Sequence, residues 1–391
     1  MTVQANNQSS LLTPANILTA IILLVGLYLS YMRFFHGLGA VTNLDDNTAW
    51  GIWNPFKIAG VALSAIGYTA SGAYYLFGIK SFKPVVRPAI TCAFLGYLIA
   101  MVFTLTYDVG QPWRLPYPIF YSLGTTSLLY EVGICVFLYL TVLFIEWAPA
   151  YFEERGMKKY YNLIHRFVIP FTIFGIVLST MHQSSLGALI LTSPGKLHPL
   201  WYSGLIPVFF FISSIFAGFS MIIIEGTLSR KFQARYADEA YLNSVDDIAI
   251  TLSKGAALVM MGYFFIRLFD MAMNDTWSHL TSYYGLLYII EIYGLVLIPA
   301  ILFAVGGREK NTCYIRLAAI LAVAGVVLYR FNIYYFGLNW QLAPEDAYFP
   351  SISEIGILIF IFTLIITAYR VMCAMLPILR EHPDCKSEEQ A

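Results

Sequence analysis

The sequence predicts an all-α, polytopic membrane protein of about ten transmembrane helices, on three observations. The 391 residues are 59% hydrophobic and only 12% charged, about half the charge of a soluble domain. Apolar runs of roughly 18 residues or more, long enough to cross a bilayer, recur from end to end. Aromatic residues crowd the stretches "WGIW", "QPWRLPYPIFY" and "KLHPLWY", as Trp and Tyr do at membrane–water interfaces. The formal net charge is zero, which implies neither an acidic nor a nucleic-acid partner.

Taken in order, the spans fall at about 14–35, 58–80, 88–108, 125–148, 164–190, 202–226, 247–272, 281–305, 313–333 and 352–377. The chain reads as one integral membrane domain over 1–391, without a soluble domain or an internal repeat. The largest pieces outside the membrane are the 109–124 and 227–246 connections, both short. The N-terminal "MTVQANNQSS" has no basic region and no small-residue cleavage site ahead of its apolar run, so the first run reads as a retained span rather than a signal peptide.

Charge fixes the expected orientation. Of the 23 Lys and Arg, fourteen lie in or beside the even-numbered connections, six in or beside the odd ones and three near the C-terminus. By the positive-inside rule the even connections and both termini are cytoplasmic. The odd connections then face outward.

An ionisable side chain inside a membrane is costly and marks a partner or a function. His182 lies in the outward third of the fifth span within "TMHQSSLGALI". Ser179 and Ser185 share its face at i−3 and i+3, and Gln183 is one step round. Two readings stand: a tie to a neighbouring helix, or a ring donor or proton carrier at a ligand site. Asp108 ends the third span on the same side, and Tyr97, eleven residues earlier, shares its face at 3.6 residues per turn. Asp108 is either such a site residue or an interfacial carboxylate paired with Arg114. Glu131 opens the fourth span. Glu146, roughly 22 Å along that helix by rise, sits near its cytoplasmic end, and Glu225 ends the sixth span. Glu291 is the deepest, near the middle of the eighth. With Arg87 at the cytoplasmic start of the third span, these carboxylates read either as paired structural charges or as a proton route. Arg267 and Asp270, at i and i+3, read as a structural pair.

A b-type haem needs two axial histidines on facing helices at matching depth. Of His36, His165, His182, His198, His279 and His382, only His182 lies inside a span, and His165 starts the same span at the opposite face. No haem is expected. The five cysteines form no CxxC and no cluster, so no metal or iron–sulfur site is expected in this chain.

The strings "VVRPAI", "DVGQPW", "LLYEVGICV", "EWAPAYFE", "TMHQSSLGALI" with "KLHPLW", "IIIEGTL" and "AYFPSISE", in that order, resemble the NrfD/PsrC-type integral membrane subunits, HybB branch. That resemblance runs over essentially the whole chain. It implies a pair of four-helix bundles plus extra spans in the bacterial cell inner membrane. The expected partners are a ferredoxin-like iron–sulfur subunit on the periplasmic face and catalytic subunits of a nickel–iron hydrogenase or a multihaem cytochrome. The expected exchangeable substrate is a quinone, menaquinone, bound just inside the membrane. Quinone-site candidates implied by motif position are His182, Asp108 and Glu131, with Gln183 beside them; proton-path candidates are Arg87, Glu146 and Glu225, to which the in-membrane carboxylates Glu131 and Glu291 add themselves. Tyr97 and Tyr130 supply aromatic walls for the ring. Quinone reduction takes two electrons and two protons, so a histidine donor at one ring oxygen and a carboxylate near the other suit it. Two rivals differ in class: a passive anchor for the iron–sulfur partner, and a secondary transporter. The transporter reading lacks matching halves around Pro170, Pro207 and Pro299.

Overall fold

The computed structural model describes residues 13–46, 48, 50–121, 123–343 and 346–380. The N-terminal "MTVQANNQSS", His382 and Cys385 lie outside them. Among the described residues no strand is present, and nine helices are long and apolar enough to cross a membrane. They are the first span (Pro14–His36), third (Lys80–Asp108), fourth (Leu128–Glu154), fifth (Val168–Leu191), sixth (Ile206–Phe232), seventh (Glu239–Met273), eighth (Tyr283–Glu309), ninth (Thr312–Gly337) and tenth (Ile352–Met375). The second span is assembled from shorter pieces, Trp53–Leu63, Ile66–Ser71 and Gly72–Leu76, with a turn at Ser64 and Ala65. It therefore starts before the expected residue 58.

The 227–246 connection shrinks. The sixth span runs on to Phe232, and the seventh begins at Glu239 because Asp238 Oδ1 accepts the Tyr241 amide at 2.9 Å. A carboxylate N-cap satisfies an orphan donor and favours the positive end of the helix. Only Gln233–Asp238, with a 3-10 turn at Ala234–Tyr236, remains between the two spans.

The second to fifth spans pack as one four-helix bundle and the sixth to ninth as another, joined where the sixth lies on the second and fifth and the ninth on the second. The first and tenth spans pair with each other outside the bundles, and the tenth also touches the third. Lipid tails offer no hydrophobic drive between helices, so close approach depends on small residues. A Cβ added at Gly60 would stand 2.6 Å from the Ala100 Cβ, and one at Gly218 would stand 3.0 Å from the Ala65 carbonyl oxygen. These contacts bring the second span against the third and sixth.

The peripheral pair is fastened by polar contacts. Buried Arg33 donates to the carbonyls of Tyr107 and Val109, both at 2.6 Å, locking the first span to the end of the third. In the "AYFPSISE" stretch Ser351 and Glu354 form a reciprocal cap on the tenth span. Glu354 also accepts from the Asn43 amide at 3.1 Å and the Tyr348 hydroxyl, while its carbonyl takes the Trp53 indole at 3.1 Å. One buried carboxylate thereby ties three outer segments together.

Several spans contain wider, π-type turns: Gly96–Phe103, Ile290–Leu297 and Asn332–Gly337. Such turns recur at functional sites because the extra residue re-aims side chains.

Candidate functional site

A buried polar cluster sits in the first bundle. His182, Gln183, Tyr97 and Tyr139 are each at most 2% exposed. The Tyr97 ring lies 5.7 Å from the His182 ring and 4.8 Å from the Tyr139 ring, both edge-on. Gln183 Nε2 donates to the Val61 carbonyl at 3.0 Å, fixing the fifth span on the second. Ser185, one turn beyond His182, donates to Glu131 Oε1 at 2.5 Å. The cluster leaves several polar atoms open. Both His182 ring nitrogens, Gln183 Oε1 and the hydroxyls of Tyr97 and Tyr139 have no hydrogen-bond partner among the described residues. Leaving one buried polar group unmet costs about 1–3 kcal/mol, so these five atoms are candidates for contact with a polar ligand.

Asp108 is held by the second span rather than by Arg114. It pairs with Lys57, and both side chains are 8% exposed. Lys57 and Val61 lie one turn apart on the Trp53–Leu63 helix, which thus holds Asp108 through a side chain and Gln183 through a backbone carbonyl. Arg114 instead lies over the Tyr117 ring. Tyr130 is half-buried near the start of the fourth span and has no ring contact or hydrogen bond among the described residues. Tyr139, not Tyr130, packs against the Tyr97 ring.

At the opposite end of the bundle lies a cavity of about 870 Å³ whose lining includes Arg87, Glu146 and Tyr241. Arg87 Nη2 meets Glu153 Oε2 at 2.6 Å, and Glu146 accepts from the Thr172 hydroxyl at 2.9 Å. Behind Tyr241 sits Glu225, buried and held by the hydroxyls of Tyr369 (2.5 Å), Ser229 (2.7 Å) and Tyr241 (3.2 Å). Arg87 and Glu146 thus line one opening, while Glu225 lies outside the lining and meets it through Tyr241.

With the geometry set out, comparison with known proteins places the chain. The family described as "Polysulphide reductase, NrfD" matches residues 40–341. The chain belongs to the NrfD family. It is 52% identical over 383 residues, 98% of each chain, to a protein of Nitratidesulfovibrio vulgaris. It is 30% identical to the "Probable Ni/Fe-hydrogenase 2 b-type cytochrome subunit" of Escherichia coli, over 92% of this chain and 90% of that one. It is 28% identical to the "Menaquinone reductase, integral membrane subunit" of Nitratidesulfovibrio vulgaris, over 85% and 83%.

Two expectations change in this NrfD chain. Glu291 is not grouped with the other carboxylates. It belongs to a second buried cluster, in the second bundle, where it accepts from Trp201 Nε1 at 2.9 Å, Asn332 Nδ2 at 2.7 Å and Arg267 Nη2 at 3.3 Å. Its tie to Trp201, which lies between the fifth and sixth spans, puts it nearer one membrane face than mid-span counting implies. The expected Arg267–Asp270 pair is also absent. Arg267 turns inward to Glu291 and the rings of Phe209, Tyr288 and Tyr329, while Asp270 accepts from Ser203 and Asn274. A tyrosine ring and a carboxylate together offset guanidinium burial better than a half-exposed neighbour on the same helix.

Lys57, Tyr139 and Glu153 are the functional-site residues that sequence reasoning missed. Lys57 directly precedes the apolar run that begins at Ile58, where a cation reads as an ordinary flank. Glu153 closes the quoted "EWAPAYFE" string. Tyr139 carries no signal among 28 tyrosines. Among the described residues no three His, Cys, Asp or Glu side chains gather as a metal site.

His198, in "KLHPLW" outside the spans, has a structural place. Its amide donates to the Gly337 carbonyl at 2.9 Å, and its ring packs against Trp340, Trp201, Tyr284 and His279. Burial, and then the neighbouring His279, pushes its pKa down to about 4.

Proposed function

We propose that this chain is the quinone-reactive membrane subunit of a respiratory redox complex. It exchanges electrons between an iron–sulfur partner on the periplasmic side and a membrane quinone, menaquinone. It lies in the bacterial inner membrane with both termini cytoplasmic, and holds no haem of its own. The observation that carries the reading is the set of unpartnered polar atoms around His182, walled by Tyr97 and Tyr139. The names of the relatives, a menaquinone reductase subunit and a hydrogenase subunit, support the substrate class and the kind of complex.

Each residue then has a task. His182 donates a hydrogen bond to one ring oxygen and holds the ring against Tyr97. Gln183 keeps the fifth span on the second through Val61, which fixes the height of His182. Glu131, hydrogen-bonded by Ser185 and half-exposed, holds the nearer proton. Asp108 beside Lys57 keeps a compensated charge at the rim. Protons from the cytoplasmic side gather at Arg87, Glu146 and Glu225 around the cavity. Tyr139 lies seven residues, about 10 Å of helix rise, from Glu146. Glu291, held in the second bundle, stays outside this route.

The test uses the purified complex. His182→Leu should leave the amount of assembled complex near wild type and cut quinone turnover by about 10²-fold or more, the scale of a lost positioned donor. A parallel fall in assembly and turnover would return His182 to an interhelical tie and favour a passive anchor. On the same preparation, a b-type α-band stoichiometric with this chain in a reduced-minus-oxidised spectrum would overturn the haem-free reading.

A further inference from the structure

The 870 Å³ cavity holds more charge than a proton route uses. Its walls carry Lys83, Arg87, Arg166 and Arg380 against only Glu146 and Asp238. Arg87 is engaged by Glu153. Arg166 and Arg380 make no hydrogen bond or ion pair among the described residues, and both are exposed at the opening. They approach from separate parts of the chain: Arg166 ends the short helix Lys158–Arg166, and Arg380 follows the tenth span. The volume lies within the range of roughly 300–1,000 Å³ that accommodates a small organic ligand.

The surroundings of the opening are apolar. Leu163 and Phe167 on and just after the Lys158–Arg166 helix are 54% and 48% exposed, and Phe77, two residues beyond the lining Tyr75, is 79% exposed. That helix has Lys158, Lys159 and Arg166 among its polar residues and an outward stripe of Tyr160, Leu163 and Phe167. It is the pattern of a helix lying in the membrane interface. Cations set inside an apolar rim match a phosphate that is attached to acyl chains. A free phosphate gains nothing from the rim. The face richer in Lys and Arg is also the one that meets an anionic leaflet.

We propose that this cavity seats the headgroup phosphate of an anionic phospholipid, held chiefly by Arg166 and Arg380, with its acyl chains over Leu163, Phe167 and Phe77. This does not depend on how the His182 site is used.

The purified complex is placed in phosphatidylcholine nanodiscs with a trace of spin-labelled phosphatidylglycerol. The motionally restricted fraction is then read by electron paramagnetic resonance and compared with spin-labelled phosphatidylcholine. Wild type should hold phosphatidylglycerol in preference. Arg166→Gln with Arg380→Gln should weaken that preference about thirtyfold, the effect of two interfacial cations acting at close range. A control pair at the same end of the bundle but outside the cavity, Arg235→Gln with Arg308→Gln, should change it little. Equal loss in both pairs would mean diffuse surface charge and overturn the site. Displacement of the label by inorganic phosphate at constant ionic strength as readily as by unlabelled phosphatidylglycerol would assign the cavity to free phosphate and overturn the lipid. The amount of assembled complex serves as the fold check for the two cavity variants.

Discussion

At the scale of single residues, the decisive feature is how each buried charge is compensated. Lys57 and Asp108 are both largely out of solvent, so removing one partner leaves the other stranded at a cost of about 3–5 kcal/mol, while removing both together is far milder. Lys57→Met and Asp108→Leu should each lower the yield of folded complex, and the double variant should recover most of it. If Asp108 also serves the quinone, the recovered double variant will stay slow in turnover; turnover recovering with yield would leave the pair structural. His198 gives a pH dependence. Its folded pKa is below its ordinary value, so the unfolded chain binds more protons in that window. Stability is complete above about pH 6.5 and falls as pH drops from there toward about 4. The intrinsic fluorescence of Trp201 and Trp340, packed on the ring, should report a thermal midpoint that declines over this range, and His198→Gln should flatten the decline. Sequence alone made His182, Gln183 and Glu131 legible because polar groups inside an apolar run must have a reason. Lys57 was hidden because a cation at a span end is ordinarily a flank, and its partner lies 51 residues away in the chain.

At the scale of elements, helices were easy to read and their interruptions were not. Bilayer length and composition suffice for the nine continuous spans. The turn at Ser64 and Ala65 and the wide turns, Gly72–Leu76 in the second span among them, depend on how neighbours pack, which no local pattern reports. The same wide turns undo face counting: Gly96–Phe103 contains Tyr97 and covers much of the stretch to Asp108, so eleven residues at 3.6 per turn no longer set their relation. The Arg267–Asp270 expectation failed for a related reason, since spacing on one helix says nothing about a stronger partner on the next. Close packing of the second and third spans offers a test. Gly60→Ala should cost about 1–3 kcal/mol through overpacking against Ala100. Adding Ala100→Gly should restore the thermal midpoint in detergent. A Gly60→Ala protein as stable as wild type would show that this contact yields easily.

At the scale of the whole molecule, two bundles divide the polar groups. The first holds the His182 cluster toward one face and the Arg87 cavity toward the other; the second holds Arg267, Glu291 and Arg330 among rings and amides, with Arg267 Nε, Tyr329 OH and two Arg330 nitrogens unpartnered among the described residues. The proposed orientation assigns these faces to compartments. With native cysteines removed, Tyr121→Cys should label in intact cells with an impermeant thiol reagent, and Asp238→Cys should label only after lysis. The opposite pattern would invert the molecule and move the quinone cluster to the cytoplasmic side.

The wide turns also bear on how chains of this kind vary in length. A π-type turn is one residue inserted into a helix and absorbed locally. Deleting a residue from Gly96–Phe103 can return it to ordinary winding while Tyr97 and Asp108 keep their places. The same deletion in the uninterrupted fourth span would swing everything beyond it by about 100° and draw it back about 1.5 Å, parting Glu131 or Glu146 from its neighbours. Length differences between homologous spans are therefore expected to collect at these turns, and an alignment forced to be gapless through them would superpose residues that face different helices.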